Sequence, residues 1–397
     1  MGRQEDLPII EIGLLWHSSR SGNLGVGALT IANIAIARSV VAELDLQPRF
    51  LIIGMADSHP SYLTRPDIAE YSLYLRTLLD PSGFWRLLKR VDCLLDIGAG
   101  DSFADIYSER RFAFLWLTKM MAIMRRKPLL LSPQTIGPFT RSPHKQLAGL
   151  ALRGATAVVV RDRMSLDALY ELAPAADGLL AVDVAFALPY QDNRHLRGSQ
   201  KLRVGVNVSG MLFNESEAGN NRFGIEVDYA LLMRSFLATL VARPNVEVHL
   251  IAHVNEAKGA WDGDGDVADR LAVEFPGVIR VTDFVGPCEA KSYISGMDVL
   301  IAGRMHACIA AFSSGVPVVP VSYSRKFSGL FGLLDYEWMI PATGMPTDAA
   351  LVYLTNCLEN LDEMSRDITA GLAKVEILLE GYRERLRRLF SAAAAAK

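Results

Sequence analysis

Arg304 and His306 are the residues of this chain whose types and spacing most suit chemistry. They lie in Asp298-Val-Leu-Ile-Ala-Gly-Arg-Met-His-Ala-Cys, followed by Gly315-Val-Pro-Val-Val-Pro. The pattern predicts a buried strand, a sharp turn, a helix closed by Gly315 and Pro317, and a second buried strand. Both residues fall where strand gives way to helix, which is where open parallel sheets place their ligands. A guanidinium and an imidazole at a helix N-terminus suit a small anion that carries phosphate and carboxylate groups. The helix dipole favours neutral His306 and a bound phosphate favours the charged form, so this imidazole can give or take a proton near neutral pH. Lys326, in Tyr323-Ser-Arg-Lys-Phe, adds a cation after the next strand. The structural alternative is a histidine satisfied by local hydrogen bonds, and the two neighbouring cations argue against it.

Four earlier segments have a similar form. Trp16-His-Ser-Ser-Arg-Ser-Gly-Asn-Leu-Gly-Val-Gly runs from a strand into a helix, and its glycines, with Gly22 and Asn23 at their head, either cradle an anion or sugar or simply turn tightly. In Leu94-Leu-Asp-Ile-Gly-Ala-Gly-Asp, Asp101 either caps the next helix or works as an acid/base group, and the flanking glycines favour the second role. Asp105 is expected on a helix surface. Ser132-Pro-Gln-Thr-Ile-Gly-Pro is a loop fixed by its prolines, in which Gln134 and Thr135 offer polar contacts. Arg161 closes the apolar run Ala157-Val-Val-Val, so it either pairs with Asp162 or awaits an anionic ligand; Asp162 or Ser165 can cap the helix that follows. The acidic run Trp261-Asp-Gly-Asp-Gly-Asp lacks the glycine and glutamate of a calcium-binding EF-hand loop and reads as a solvated turn. No metal site is expected.

The elements that must position these groups follow from apolar runs of four to eight residues. They place strands at 9–15, 49–54, 93–97, 129–132, 157–161 and 180–184, and then at 203–208, 246–252, 279–282, 298–302 and 316–321. Helical stretches alternate with them, which predicts an α/β chain with parallel sheets. At 397 residues the chain is too long for one ordinary core. The polar gap Tyr190–Lys201 separates two similar series, giving a Rossmann-like domain at 1–190, a second at 200–345 and a helical segment at 346–397. The two domains are expected to face each other across a cleft. The chain is half apolar, as sheets buried on both faces require. No uninterrupted apolar run reaches the roughly 18 residues of a membrane span, and the first residues do not read as a secretory signal. Four scattered cysteines fit buried thiols in a reducing, cytoplasmic compartment. A net charge of −3 carries no nucleic-acid footprint. Near the C-terminus Arg383, Arg385, Arg387 and Arg388 form a basic helix face, read as solvated rather than membrane-bound.

Taken in order, these segments resemble the polysaccharide pyruvyl transferase family. The matching positions are Gly22-Asn-Leu-Gly, Gly98-Ala-Gly-Asp101, Gln134-Thr-Ile-Gly-Pro138, Arg161 to Ser165, Arg304 to Ala307, Gly315-Val-Pro and Tyr323 to Lys326. Val26 stands where that family has a loop aspartate, and Ala99 where it has a glycine. The resemblance implies a GT-B-like fold. It also implies transfer of pyruvate from phosphoenolpyruvate to a sugar of a polysaccharide or glycolipid precursor, with a cyclic ketal formed and phosphate released. On that reading Arg161, Arg304, Met305 and Lys326 bind the donor, and His306 and Asp101 exchange protons with the reactants. Gly22, Asn23, Gln134 and Thr135 line the acceptor or loop side. The scheme needs no cofactor and no metal. A lipid-linked acceptor would bring the enzyme to the inner membrane face as a peripheral protein; homo-oligomerisation is open. Two rivals share the fold: a GT-B nucleotide-sugar glycosyltransferase, which the scarcity of acidic residues between Asp283 and Gly315 disfavours, and a non-catalytic sugar-binding member.

Overall fold

The computed structural model describes residues 7–100, 102–198 and 200–397. They form two compact units. The first comprises the described residues up to Ser21, Leu29–Ala187 and Glu376–Lys397; the second comprises Gly22–Ala28 and Leu188–Val375. The glycine loop near the start of the chain therefore belongs to the second unit, and the end of the chain to the first.

In the first unit the strands are β1 (Ile9–Leu15), β2 (Gln47–Met55), β3 (Ile68–Leu73), β4 (Cys93–Asp96), β5 (Ser102–Phe103), β6 (Leu129–Ile136), β7 (Ala157–Val160) and β8 (Gly178–Leu180). Their order is β3-β2-β1-β4-β6-β7-β8, with β5 on β6. The second unit holds β9 (Leu202–Asn207), β10 (Val246–Leu250), β11 (Ile279–Arg280), β12 (Val299–Ala302), β13 (Val318–Ser322) and β14 (Ile340–Pro341), in the order β11-β10-β9-β12-β13-β14. Every named strand pair is parallel. Each unit is Rossmann-like, and the strand order reverses once in each sheet, between β1 and β4 and between β9 and β12. A crevice opens at the carboxyl ends of the strands at such a reversal, because the flanking connections leave to opposite faces.

The central strands carry the apolar runs because both of their faces are covered; β4, β6 and β7 are buried throughout. The edge strand β3 (Ile-Ala-Glu-Tyr-Ser-Leu) is mostly exposed, so it leaves no apolar run to detect. The 180–184 run proves to be the end of β8 followed by a 3-10 turn, Val184–Ala187. The polar gap is not slack. The Arg197 guanidinium donates to the carbonyls of Ser295, Ser314 and Gly315, and the Gln191 and Asn193 amides donate to Ser292 and Ser295 hydroxyls, all within the second unit.

Two helices add to the sequence reading. The helix Leu24–Glu43 has a mean hydropathy of 1.7 over its most apolar window, long and apolar enough to cross a membrane. Counting uninterrupted apolar residues missed it because Asn33 and Arg38 break the run. Of that window 72% is buried, and Ala32, Ala37, Val40 and Val41 are fully so, which is the pattern of a core helix. The second is Leu361–Ala395. Its basic face is matched by carboxylates of the first unit: Arg385 pairs with Asp177 (2.5 Å), Arg387 with Glu43 (2.7 Å) and Arg388 with Glu384 (3.0 Å). On its opposite side Tyr382, Leu386 and Phe390 are fully buried. The Tyr382 hydroxyl lies 2.7 Å from Asn33 Oδ1 and 2.9 Å from Ser132 Oγ. A buried polar group deprived of its partner costs about 1–3 kcal/mol. Tyr382→Phe is therefore expected to lower unfolding stability by about that much, read as a lower urea midpoint at unchanged m-value; an unchanged midpoint would show that these bonds hold nothing.

Candidate functional site at the carboxyl ends of the second sheet

The site is built around a carboxylate. Asp264, the middle aspartate of the acidic run, is fully buried. Its Oδ1 accepts from the Gly210 amide (2.9 Å) and from Nε and Nη2 of Arg304 (3.0 and 2.8 Å). Its Oδ2 accepts from Asn207 Nδ2 (3.0 Å) and from the amides of His253 and Val254 (3.0 and 3.1 Å). One side chain thus ties together the segments that follow β9, β10 and β12, the strands at the reversal. The expectation of a solvated acidic turn is wrong here. Asp264 is an interior hub, and Asp262 also accepts from Arg304, at 2.8 Å. The approach needs glycine: a Cβ on Gly210 would stand 1.9 Å from the Gly263 carbonyl oxygen.

Arg304 is accordingly not a cation held in reserve for a ligand. It is 9% exposed, and the charge on its Nε–Nη2 edge is neutralised by Asp264 and Asp262. It is the N-cap of the helix Met305–Ser313, whose first turn carries half-buried Met305 and His306. Asn207 Oδ1 accepts from the Arg304 amide (3.1 Å), and Gly303 lets Tyr229 approach, since a Cβ there would lie 2.5 Å from the phenol oxygen. One strand further on, Lys326 lies in the first turn of the helix Arg325–Leu333, after β13. Burial lowers its ammonium pKa to about 8. Adjacent parallel strands β12 and β13 therefore end in two helix N-termini, one bearing His306 and the other Lys326.

The glycine loop completes this pole of the second unit. Asn255 N donates to Gly22 O (2.8 Å), Leu24 N donates to His253 O (3.2 Å), and Asn23 bridges Val254. Asn23 Oδ1 accepts from the Gly25 amide (3.0 Å), so this side chain shapes the helix start. A Cβ on Gly25 would stand 2.3 Å from His306 Nδ1: the imidazole packs on the bare glycine. His253, fully buried beside them, has its pKa lowered to about 3 by burial and then by the neighbouring His306 charge.

The first unit arranges its residues around its own reversal. Arg161 is 3% exposed; it donates to Asp183 Oδ2 (2.6 Å) and to Thr135 Oγ1 (3.0 Å). Its partner is Asp183, not Asp162, which instead caps the helix Arg163–Leu172 by accepting from Ser165 N (2.7 Å). Gln134 Nε2 donates to the carbonyls of Asp96 (2.8 Å) and Ser132 (3.2 Å), while its Oε1 sits against Gly98, where a Cβ would be 2.3 Å away. Gly98, Ala99 and Gly100 all have positive φ, so Ala99 holds a conformation that glycine takes without strain. Asp101 lies outside the described residues. Asp105 is buried rather than on a helix surface: it accepts from Thr140 N (2.9 Å) and Arg141 N (3.1 Å). A wholly buried pair, Asp96 with Lys119 (2.9 Å), also escaped the sequence reading, because a lysine within an apolar stretch looks only like an interruption. His17 is buried with its pKa lowered to about 4.

Two parallel sheets of Rossmann type, each with polar groups gathered at the strand reversal, define an α/β protein of the GT-B class. Sucrose-phosphate synthase from Thermosynechococcus elongatus is similar at a TM-score of 0.59 and 11% identity, over 98% of this chain and 100% of that one. MurG of Acinetobacter baumannii is similar at 0.53 and 11%, over 96% and 99%. MnaA of S. aureus, solved with UDP, is similar at 0.56 and 9%, over 91% of each. At such identities these likenesses show the fold alone. Sequence goes further: the polysaccharide pyruvyl transferase model matches residues 40–325, and the chain belongs to that family. The amylovoran biosynthesis protein AmsJ of Erwinia amylovora is 21% identical over 412 residues, covering 92% of this chain and 96% of AmsJ.

Two outcomes follow. Asp264→Asn strips the counter-charge from a buried guanidinium and should cost about 3–5 kcal/mol in chemical denaturation. Adding Arg304→Met should restore part of that loss, whereas strictly additive losses would break the proposed coupling. His253 is held neutral far below the ordinary histidine value, so its contribution is complete above pH 6.5 and is lost as pH falls from there towards about 3. The loss approaches about 1.4 kcal/mol per pH unit within that window. Urea midpoints between pH 7 and 5 should show a shallower decline for His253→Gln than for the unaltered protein, and equal slopes would refute the assignment.

Proposed function

We propose that the protein transfers the pyruvyl group of phosphoenolpyruvate to two hydroxyls of a sugar acceptor. The observation that carries this reading is the pair of helix N-termini at adjacent strand ends, one bearing His306 and the other Lys326, in a chain that belongs to the polysaccharide pyruvyl transferase family. The donor is a small trianion, and helix N-termini with an ammonium and an imidazole suit it.

In the proposed reaction one acceptor hydroxyl adds to C2 of the enol while C3 takes a proton and becomes a methyl group. A second hydroxyl then displaces phosphate from C2 and closes the ketal. The two hydroxyl protons end on C3 and on the departing phosphate, so atoms balance and no oxidant or metal is called for. His306 holds the phosphate and passes the proton, and Lys326 provides a donor cation. Arg304, neutralised by Asp264, positions the helix that presents His306 and is not the principal phosphate ligand. Asp101 keeps the part of base on the acceptor hydroxyl that its place in the sequence suggests. Arg161 is bound to Asp183, so its part in holding the donor is secondary in this scheme.

Phosphate release from phosphoenolpyruvate plus a sugar acceptor, together with the mass gained by the product, is the direct test. His306→Ala should lower it by at least a hundredfold, as loss of a general acid/base does. Gly25→Ala places a methyl where the imidazole lies and should reduce turnover without unfolding the protein, since alanine suits a helix better than glycine. Lys326 is charged below about pH 8, so the KM for phosphoenolpyruvate should rise as pH climbs through that value and be flat in Lys326→Met. A nucleotide sugar that raises the melting temperature where phosphoenolpyruvate does not would overturn the reading.

A further inference from the structure

The first unit carries a surface that none of this chemistry uses. Where β2 and β3 end, beside the short helix Leu75–Leu79, a groove of about 500 Å3 is lined by apolar side chains open to solvent. Met55 is 59% exposed, Tyr74 42%, Leu75 51% and Leu79 70%. Contiguous exposure of this kind is costly in water unless something covers it. Two arginines edge the groove. The Arg76 guanidinium lies 5.1 Å from the Tyr74 ring centroid and Arg110 lies 5.5 Å from that of Phe114. Neither forms an ion pair among the described residues. Of the nearby acids, Glu109 pairs with Arg141 and His144, while Asp80 accepts from Ser82 (2.8 Å) and, among the described residues, forms no ion pair with either arginine.

The C-terminal helix gives the contrast. Arg383, Arg385, Arg387 and Arg388 are each matched by a carboxylate, so that basic face has little charge to offer a partner. At the groove, apolar side chains and unneutralised guanidinium groups occur together. An interfacial surface has this composition: leucine and methionine enter the acyl boundary, while tyrosine and arginine sit at headgroup depth and the cations select anionic lipid.

We propose that this groove docks the protein on an anionic phospholipid surface, with Leu75 and Leu79 inserted and Arg76 and Arg110 on the headgroup phosphates. The surface shares no residue with the candidate site, so the proposal stands apart from the pyruvyl reading. It does supply what a lipid-linked acceptor would require.

The test is co-sedimentation of the full chain with vesicles of phosphatidylcholine alone or mixed with phosphatidylglycerol. Binding is expected only to the anionic vesicles, and raised salt should weaken it. Arg76→Gln and Arg110→Gln should each lower the partition coefficient about fivefold. Leu75→Glu/Leu79→Glu should abolish binding, with the circular dichroism spectrum and melting temperature kept because both side chains are exposed. The proposal fails if the unaltered protein ignores anionic vesicles, or binds neutral ones equally. It also fails if the leucine variant binds undiminished, or if that variant instead converts a dimer to a monomer in sedimentation velocity, which would make the groove a contact between copies of the chain.

Discussion

A single buried carboxylate governs the second unit. Asp264 receives the amides of Gly210, His253 and Val254, the Asn207 amide group and the Arg304 guanidinium. A charge in that position is tolerable only because every lone-pair direction is occupied and a cation faces it. The consequence is geometric: the ends of β9, β10 and β12 are fixed relative to one another, and the helix bearing His306 starts from that fixed frame. Arg304 looks from sequence like a ligand for substrate phosphate. In the folded chain its first duty is to its own protein.

The two units solve the same problem with different residues. In the second, Arg304 closes on Asp264; in the first, Arg161 closes on Asp183 and Lys119 on Asp96. Each pair lies near the carboxyl ends of parallel strands, where a buried charge is tolerated only because its counter-charge faces it. Burial also lowers the Lys326 ammonium pKa, to about 8. His306 differs again: its ring packs where Gly25 has no side chain, since a Cβ there would stand 2.3 Å from Nδ1.

The segment order strand, glycine turn, helix was readable because each piece obeys local rules. Central strands announce themselves by continuous apolar runs; edge strand β3 and the two-residue strands β5, β11 and β14 scarcely do, since little of them is buried or little of them exists. His306, Lys326 and Asn23 were legible as polar residues at strand-to-helix junctions. Asp264, Asn207 and His253 were not, because their meaning lies in partners 40 or more residues away for Arg304 and Asn207, and in burial that an aspartate among glycines does not advertise. A spacing of Gly-Asp-Gly-Asp did hint at backbone held close, which the Gly210–Gly263 approach makes concrete.

By itself, then, the sequence determined the alternation of parallel strands and helices, the positions of the junctions and the family to which the chain belongs. Those depend on periodicity and on short motifs, both local properties. The tertiary structure alone decided which charges are spent internally, because a cation can be judged only with the carboxylate that faces it. It alone assigned the loop Gly22–Ala28 to the second unit and the end of the C-terminal helix to the first, since such attachments arise from packing between segments hundreds of residues apart.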